Sequence, residues 1–352
     1  MGGASARPTQ RTTPVALDTE IFEAGPFTLQ SGATLAAATI AYKTYGTLAP
    51  AKDNVVVLPT AFAGRHSDYE WMIGPGQALD PARLFVIIPN MLGNGLSSSP
   101  SNTPAPHAGP DFPAVTIHDN VVLQQRLLAE VFAIERVALV VGRSMGALQA
   151  FHWGALFPER VARIAAIVGA SRCSRHNFVF LEGVKAALGA DAAFADGRYT
   201  APPEKGLRAM GRVYAGWGFS QAFYRREEDR TAFGYATLED FLAGFWDPFF
   251  AAKDANDLLA MIATWQHADI AANDRYRGDR AAALGAITAR AFVMPSQTDL
   301  YFPPEDSALE VDLMPNAELI PIPSIWGHFA GGRGNPQDAA FLDEKLKLLL
   351  AS

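Results

Sequence analysis

Unbroken apolar runs alternate with helix-period runs over the first half of this chain. Asn54–Phe62 (NVVVLPTAF), Arg83–Met91 (RLFVIIPNM) and Val137–Gly142 (VALVVG) show little of the in–out alternation of a half-buried strand. Such runs are expected of strands covered on both faces in a parallel sheet. A mixed β-rich run, Ile40–Leu48, precedes them. Between the second and third runs, Phe112–Ile134 sets Val121, Val122, Leu127, Leu128 and Val131 at helical spacing, and Arg163–Ser171 (RIAAIVGAS) supplies one more strand. The order predicts βαβ units and a mostly parallel, doubly wound α/β sheet.

From about Ser174 to Ala286 the pattern becomes helical and aromatic, as in YAGWGFSQAFYRREEDR, with no convincing apolar strand. Strand character resumes over Ile287–Asp299 and Ala317–Ser324, before a final helix expected over Pro336–Leu350. The economical reading is one α/β core, residues 16–173 and 287–352, interrupted by a helical lid at 174–286 and preceded by a disordered leader at 1–15. No internal repeat or low-complexity linker points to two independent domains.

Composition narrows the partners. A chain of 352 residues, about half of them apolar, can bury one large core. A net charge of −7, with no basic stripe, argues against nucleic acid and against an anionic membrane surface. The single cysteine, Cys173, excludes an internal disulfide or a cysteine-based metal cluster and fits a reducing compartment. The first twenty residues lack the apolar core of a secretory signal and no window reaches the length of a membrane span, so a cytoplasmic protein is expected.

Candidate chemistry centres on Gly142-Arg143-Ser144-Met145-Gly146, a G-x-S-x-G motif between an apolar strand and a helix. A residue on so sharp a turn is strained and its neighbours must be small, which the two glycines satisfy. The competing reading is a serine that merely caps the helix. A hydroxyl becomes a useful nucleophile only beside a base, and in this architecture the partners should follow in the order Asp, then His, each in a loop after a late strand. Asp299 follows the first strand after the insertion and His328 follows the last. Glu305 and Asp306 compete weakly, because PPED reads as a helix start, while His152 falls within the elbow helix and His176 and His267 within the insertion. An oxyanion would need two backbone donors: the N–H of Met145, and one from the loop after Val55–Leu58, assigned to Phe62 with Ala61 as the alternative.

At these residues the chain resembles the homoserine O-acetyltransferase family of the α/β-hydrolase superfamily. The likeness runs from FTLQSGATLAAATIAYKTYGTL through VVGRSMGALQAFHWGALFPERV to TDLYFPPEDS and WGHFAGG, nearly the whole chain. The resemblance implies the α/β-hydrolase fold with a helical lid, Ser144 as acyl-accepting nucleophile, Asp299 and His328 as its partners, and a homodimer formed through the lid. It implies no separate bound cofactor, with acyl-CoA as a possible co-substrate.

Departures from the family shape the functional expectation. Family transferases are expected to hold the amino-acid acceptor with a lid arginine and tyrosine, positions that fall here on Gly211 and Gly218, with Arg212 and Trp217 adjacent but out of register. They also carry an aspartate directly after the catalytic histidine, where this chain has Phe329, and glycines where it has Arg143 and Ala147. Desolvating a zwitterion without partners is costly, so a less polar ester or alcohol is the expected ligand. The pocket candidates are Arg143, Arg212, Trp217 and Phe329, with Arg143 either steering an anionic substrate or lying on the surface. Hydrolysis of a small acyl ester ranks first, acyl transfer to a non-homoserine alcohol second and homoserine transfer third, with a non-catalytic binding protein on a hydrolase scaffold as the alternative of a different class.

Overall fold

The computed structural model describes residues 19–352; the expected leader at 1–15 lies outside the described residues. Eight strands make one sheet: β1 (Glu20–Thr28), β2 (Thr34–Tyr45), β3 (Val55–Val57), β4 (Phe85–Pro89), β5 (Leu139–Arg143), β6 (Arg163–Ile167), β7 (Arg290–Met294) and β8 (Ala317–Leu319). Their order is β1-β2-β4-β3-β5-β6-β7-β8. From β4 onward every pairing is parallel, while β2 runs antiparallel to both β1 and β4. The mostly parallel sheet read from the apolar runs is present, and β3 and β4 are buried at every position.

The antiparallel edge is where the sequence reading fell short. β1 was not anticipated, and β2 begins six residues before the expected run at Ile40. In β1 only Phe22 and Ala24 are buried, Pro26 interrupts the run, and the register shifts around Gly25, at φ 68°. An edge strand tolerates proline and irregular pairing, so it need not advertise itself by an apolar string.

The inner strands are shorter than the apolar runs that encode them. Of Asn54–Phe62 only Val55–Val57 joins the ladder; of Ile287–Asp299 only Arg290–Met294 does. The part of each run that follows its strand leaves the carboxyl edge of the sheet as a loop, and those loops carry Phe62 and Asp299. Open α/β sheets bind ligands at this edge.

Two helices brace it. In α1 (Ile117–Phe132) the Thr116 hydroxyl accepts the Asp119 N–H at 3.1 Å, while the Asp119 carboxylate accepts the Thr116 N–H at 2.9 Å, a reciprocal cap. In α2 (Met145–Leu156) every residue from Met145 to Ala155 is buried, so this helix is packed on all sides. Between β6 and β7 the described chain is mainly helical, beginning with α3 (Arg175–Gly189) and α4 (Glu204–Gly218) and ending with helices Ala255–Gln266 and Arg280–Gly285. This segment has its own aromatic core, in which Phe219 stacks on Phe223 at 4.1 Å and on Phe329 at 4.5 Å. It is pinned to the sheet domain by Asp257, which accepts the Ser101 N–H at 2.9 Å and hydroxyl at 2.7 Å, and by Thr264, which donates to Val115 O at 2.9 Å. Among the described residues no helix is long and apolar enough to cross a membrane.

Candidate active site

Ser144 sits between the end of β5 and the first residue of α2 at φ 54°, ψ −123°, a region that side-chain-bearing residues avoid. The turn is enforced by close approach of backbone. A Cβ on Gly142 would lie 2.0 Å from Gly146 O, and one on Gly146 would lie 2.7 Å from Pro59 O. A third glycine, which the sequence reading missed, is equally constrained: a Cβ on Gly169, just past β6, would lie 2.7 Å from Ser144 O and 2.5 Å from Ala147 Cβ. Although Ser144 occupies the N-cap position, its side chain makes no capping bond, so the capping reading fails.

The hydroxyl is engaged elsewhere. Ser144 Oγ and His328 Nε2 are 2.8 Å apart, and His328 Nδ1 is 2.9 Å from Asp299 Oδ2. The carboxylate can only accept, which places the ring proton on Nδ1 and leaves the Nε2 lone pair facing the serine hydroxyl. Asp299 is itself 4 % exposed, and its other oxygen accepts the Tyr301 N–H at 2.8 Å. The histidine loop is tied on both sides: Thr298 Oγ1 accepts the Gly327 N–H at 3.1 Å, and Asp338 accepts the Gly331 N–H at 3.2 Å. Arg143 Nη2 donates to Ala330 O at 2.9 Å.

The two expected oxyanion donors stand free. Among the described residues neither the Phe62 nor the Met145 N–H has an acceptor, whereas the Ala61 N–H donates to Tyr69 Oη at 2.8 Å. The Ala61 N–H, the alternative offered by the sequence, is thus already engaged, while the Phe62 N–H is not. Burial pushes the Tyr69 phenol well above its ordinary range, so it remains a neutral partner for the amide.

Ser144 and His328 open into a cavity of about 150 Å³ that Ala61, Phe62, Tyr69, Arg143, Tyr214, Trp246, Phe249, Trp265, Tyr301 and Phe329 complete. A cavity of that size holds a benzene-sized molecule, roughly six non-hydrogen atoms. None of the lining residues is a carboxylate. Elsewhere, among the described residues, no group of three or more His, Cys, Asp or Glu is placed to hold a metal ion.

A family model for the alpha/beta hydrolase fold matches residues 54–330. The chain belongs to that family. This α/β hydrolase is 38 % identical over 336 residues to an ethyl acetate hydrolase of Pseudomonas veronii, covering 95 % of each chain. It superimposes on the crystal structure of an acetylester hydrolase from Corynebacterium glutamicum with a TM-score of 0.92, at 38 % identity over 95 % of this chain and 96 % of that one. It is 31 % identical to a homoserine O-acetyltransferase of Chlorobium luteolum over 87 % of each chain. With such relatives the protein is an enzyme, an esterase or acyltransferase of this fold.

The sequence-derived pocket candidates divide. Arg143 and Phe329 line the cavity of the hydrolase, while Arg212 and Trp217 do not. Arg212 is exposed and paired with Glu239 at 2.6 and 2.9 Å, and Trp217 packs against Phe180 and His176. Both corrections have one physical cause: α4 turns Gly211 and Gly218 inward, so their neighbours point away. The space that larger residues would fill there is occupied, since a Cβ on Gly218 would lie 2.8 Å from Trp246 and 2.9 Å from Phe329, and one on Gly211 2.9 Å from Trp246 O. Arg143 is partly buried: its Nη1 is enclosed with no partner among the described residues, and desolvation lowers its pKa. The aromatic residues Tyr214, Trp246, Phe249, Trp265 and Tyr301 were not singled out from sequence. The only signal was the aromatic richness of the insertion, which does not reveal the inward face.

Proposed function

We propose that the enzyme hydrolyses small acyl esters, of the size of ethyl acetate, through an acyl-enzyme on Ser144. His328 Nε2 takes the hydroxyl proton as Oγ attacks the ester carbonyl carbon, and Asp299 stabilises the resulting imidazolium. The negative charge on the former carbonyl oxygen is received by the Phe62 and Met145 amides, with α2 presenting its N-terminus toward it. Collapse breaks the C–O bond to the alcohol, which leaves with the proton held by His328. Water, deprotonated by the same imidazole, then attacks the acyl carbon and releases the acid and Ser144.

The observation that carries this reading is the continuous Ser144–His328–Asp299 contact, opening onto a small aromatic cavity with no lining carboxylate. An ammonium group would find no counter-charge there, which argues against homoserine as acceptor. The likeness to an ethyl acetate hydrolase and an acetylester hydrolase supports the same substrate class. A second reading, transfer of an acyl group from acyl-CoA to a nonpolar alcohol, uses the same intermediate and draws support from the transferase relative. The lone cysteine favours the cytoplasm, and pairing through the cap is suggested by exposed Phe178 and Val179 on α3. Acid release from ethyl acetate, followed in a pH-stat with and without added alcohols and with acetyl-CoA plus homoserine, tests the assignment. Steady acid release without an acceptor supports hydrolysis; turnover only when acetyl-CoA and an alcohol are both present would overturn it.

A further inference from the structure

A line of buried amides ends beside the two oxyanion donors. Gln124 on α1 and Gln149 on α2 are fully buried, as is Trp153, one turn further along α2. Trp153 Nε1 donates to Gln124 Oε1 at 2.9 Å, and Gln124 Nε2 donates to Gln149 Oε1 at 2.6 Å. Gln149 Nε2 in turn donates to Thr60 O at 2.8 Å and to Met145 O at 3.1 Å. The partners fix the direction of the line, because an indole N–H can only donate and the two carbonyls at the far end can only accept. Primary amides are costly to bury where an apolar side chain of similar volume would pack as well, so the line has a purpose beyond filling space.

Its end is where the chemistry is most demanding. Met145 carries one oxyanion donor, and Thr60 lies two residues before Phe62, which carries the other. The loop leading to Phe62 is held at successive points. The Thr60 N–H donates to Pro89 O at 3.2 Å, Thr60 Oγ1 accepts the Met91 N–H at 2.9 Å, and Thr60 O takes the Gln149 amide. The Ala61 N–H goes to Tyr69 Oη, so the Phe62 N–H is the first along this stretch left without an acceptor among the described residues. One residue earlier, Pro59 O lies so close to α2 that a Cβ on Gly146 would sit 2.7 Å away. Contact at Gly146 limits how near the loop can come to the helix, and the Gln149 bonds limit how far it can move away.

We infer that Gln149 is a positioning residue: by bonding Thr60 O and Met145 O with one amide group, it sets the separation of the Phe62 and Met145 N–H groups that receive the oxyanion. Gln124 holds that amide in place from α1. The inference rests on the ester hydrolysis proposed above and adds to it a residue that touches neither the substrate nor the Ser144–His328–Asp299 relay. Gln149 controls geometry at the carbonyl oxygen, where charge develops, so its loss is felt in the transition state and hardly at all in ground-state binding.

The test compares ethyl acetate with O-ethyl thioacetate, the same ester with sulfur in place of the carbonyl oxygen. Sulfur is larger and a weaker acceptor, so donors spaced for oxygen favour the oxygen ester, and the ratio of kcat/KM for the two reports that spacing. Comparing ratios between proteins cancels the intrinsic reactivity of the esters. Gln149→Met keeps the length of the side chain and removes the donor; kcat for ethyl acetate should fall about 10- to 100-fold with KM changed less than about threefold, and the ratio should fall about tenfold. Gln124→Met leaves the Gln149 amide free to turn and should lower the ratio by about threefold, which decides the matter if Gln149→Met does not fold. Loosened packing alone would slow both esters alike. Ratios that stay at the wild-type value in the folded variants, whatever their urea midpoints, would overturn the positioning role while hydrolysis stands. Failure of the folded wild type to hydrolyse ethyl acetate would instead overturn the esterase reading, and the inference with it.

Discussion

Beneath the cavity, Ser144 stands on a turn where Gly142, Gly146 and Gly169 leave no room for a methyl group, and each loop beside it is fixed by directed hydrogen bonds. Above it, Trp246, Phe249 and Phe329 form a wall held by ring contacts, such as Trp246 against Phe329 at 5.6 Å, with few directional constraints. The lower part places atoms to within a fraction of an ångström, as bond-making requires. The upper part sets volume and polarity, which can be altered without disturbing the relay.

The difference can be broken from either side. Asp299→Asn keeps the shape of the relay but can donate to His328 Nδ1, favouring the wrong tautomer; kcat should fall by about 10⁴-fold, measured with p-nitrophenyl acetate at neutral pH. Gly146→Ala pushes a methyl group into Pro59 O and so displaces the loop carrying Phe62; a kcat loss on the order of 10²-fold with a small change in KM is expected. On the aromatic wall, Phe329→Ala should preserve the acyl-enzyme step and shift preference toward longer esters by about tenfold in relative kcat/KM. A loss of kcat as large as that of Asp299→Asn would show that the wall also positions the relay.

The smallest effect concerns stability alone. His152, buried in α2, donates through Nδ1 to Leu148 O at 2.7 Å, and burial pushes its pKa down to about 4. A histidine that titrates normally when unfolded binds more protons in that state between these values, so its contribution to stability is present above pH ~6.5 and is lost as pH falls toward 4. The loss between pH 7 and pH 5 is on the order of 2 kcal/mol. His152→Gln should flatten the pH dependence of the urea midpoint over that interval by this amount; an unchanged slope would show that His152 is not buried neutral.

Legibility in the sequence followed the same division. The inner strands and the elbow could be read because two-sided burial demands apolar runs and a strained turn demands small neighbours. Asp299 and His328 could be placed because their loops follow strands in chain order. The first strand could not be read, since an edge position relaxes both demands, as Pro26 and the shifted register at Gly25 show. The aromatic wall was hidden for a different reason: a helix such as α4 presents Tyr214 and Trp217 three residues apart, and only tertiary packing decides that Tyr214 faces the cavity and Trp217 does not. Gly169 escaped because its constraint comes from Ser144, a neighbour in space and not in sequence.

The most direct test of the account is mass spectrometry of the enzyme quenched within a turnover of p-nitrophenyl acetate. The account predicts an acetyl group on the peptide containing Ser144, trapped in greater amount when His328→Ala slows deacylation after chemical loading. An acetyl group found on another residue, or hydrolysis proceeding undiminished in Ser144→Ala, would contradict it.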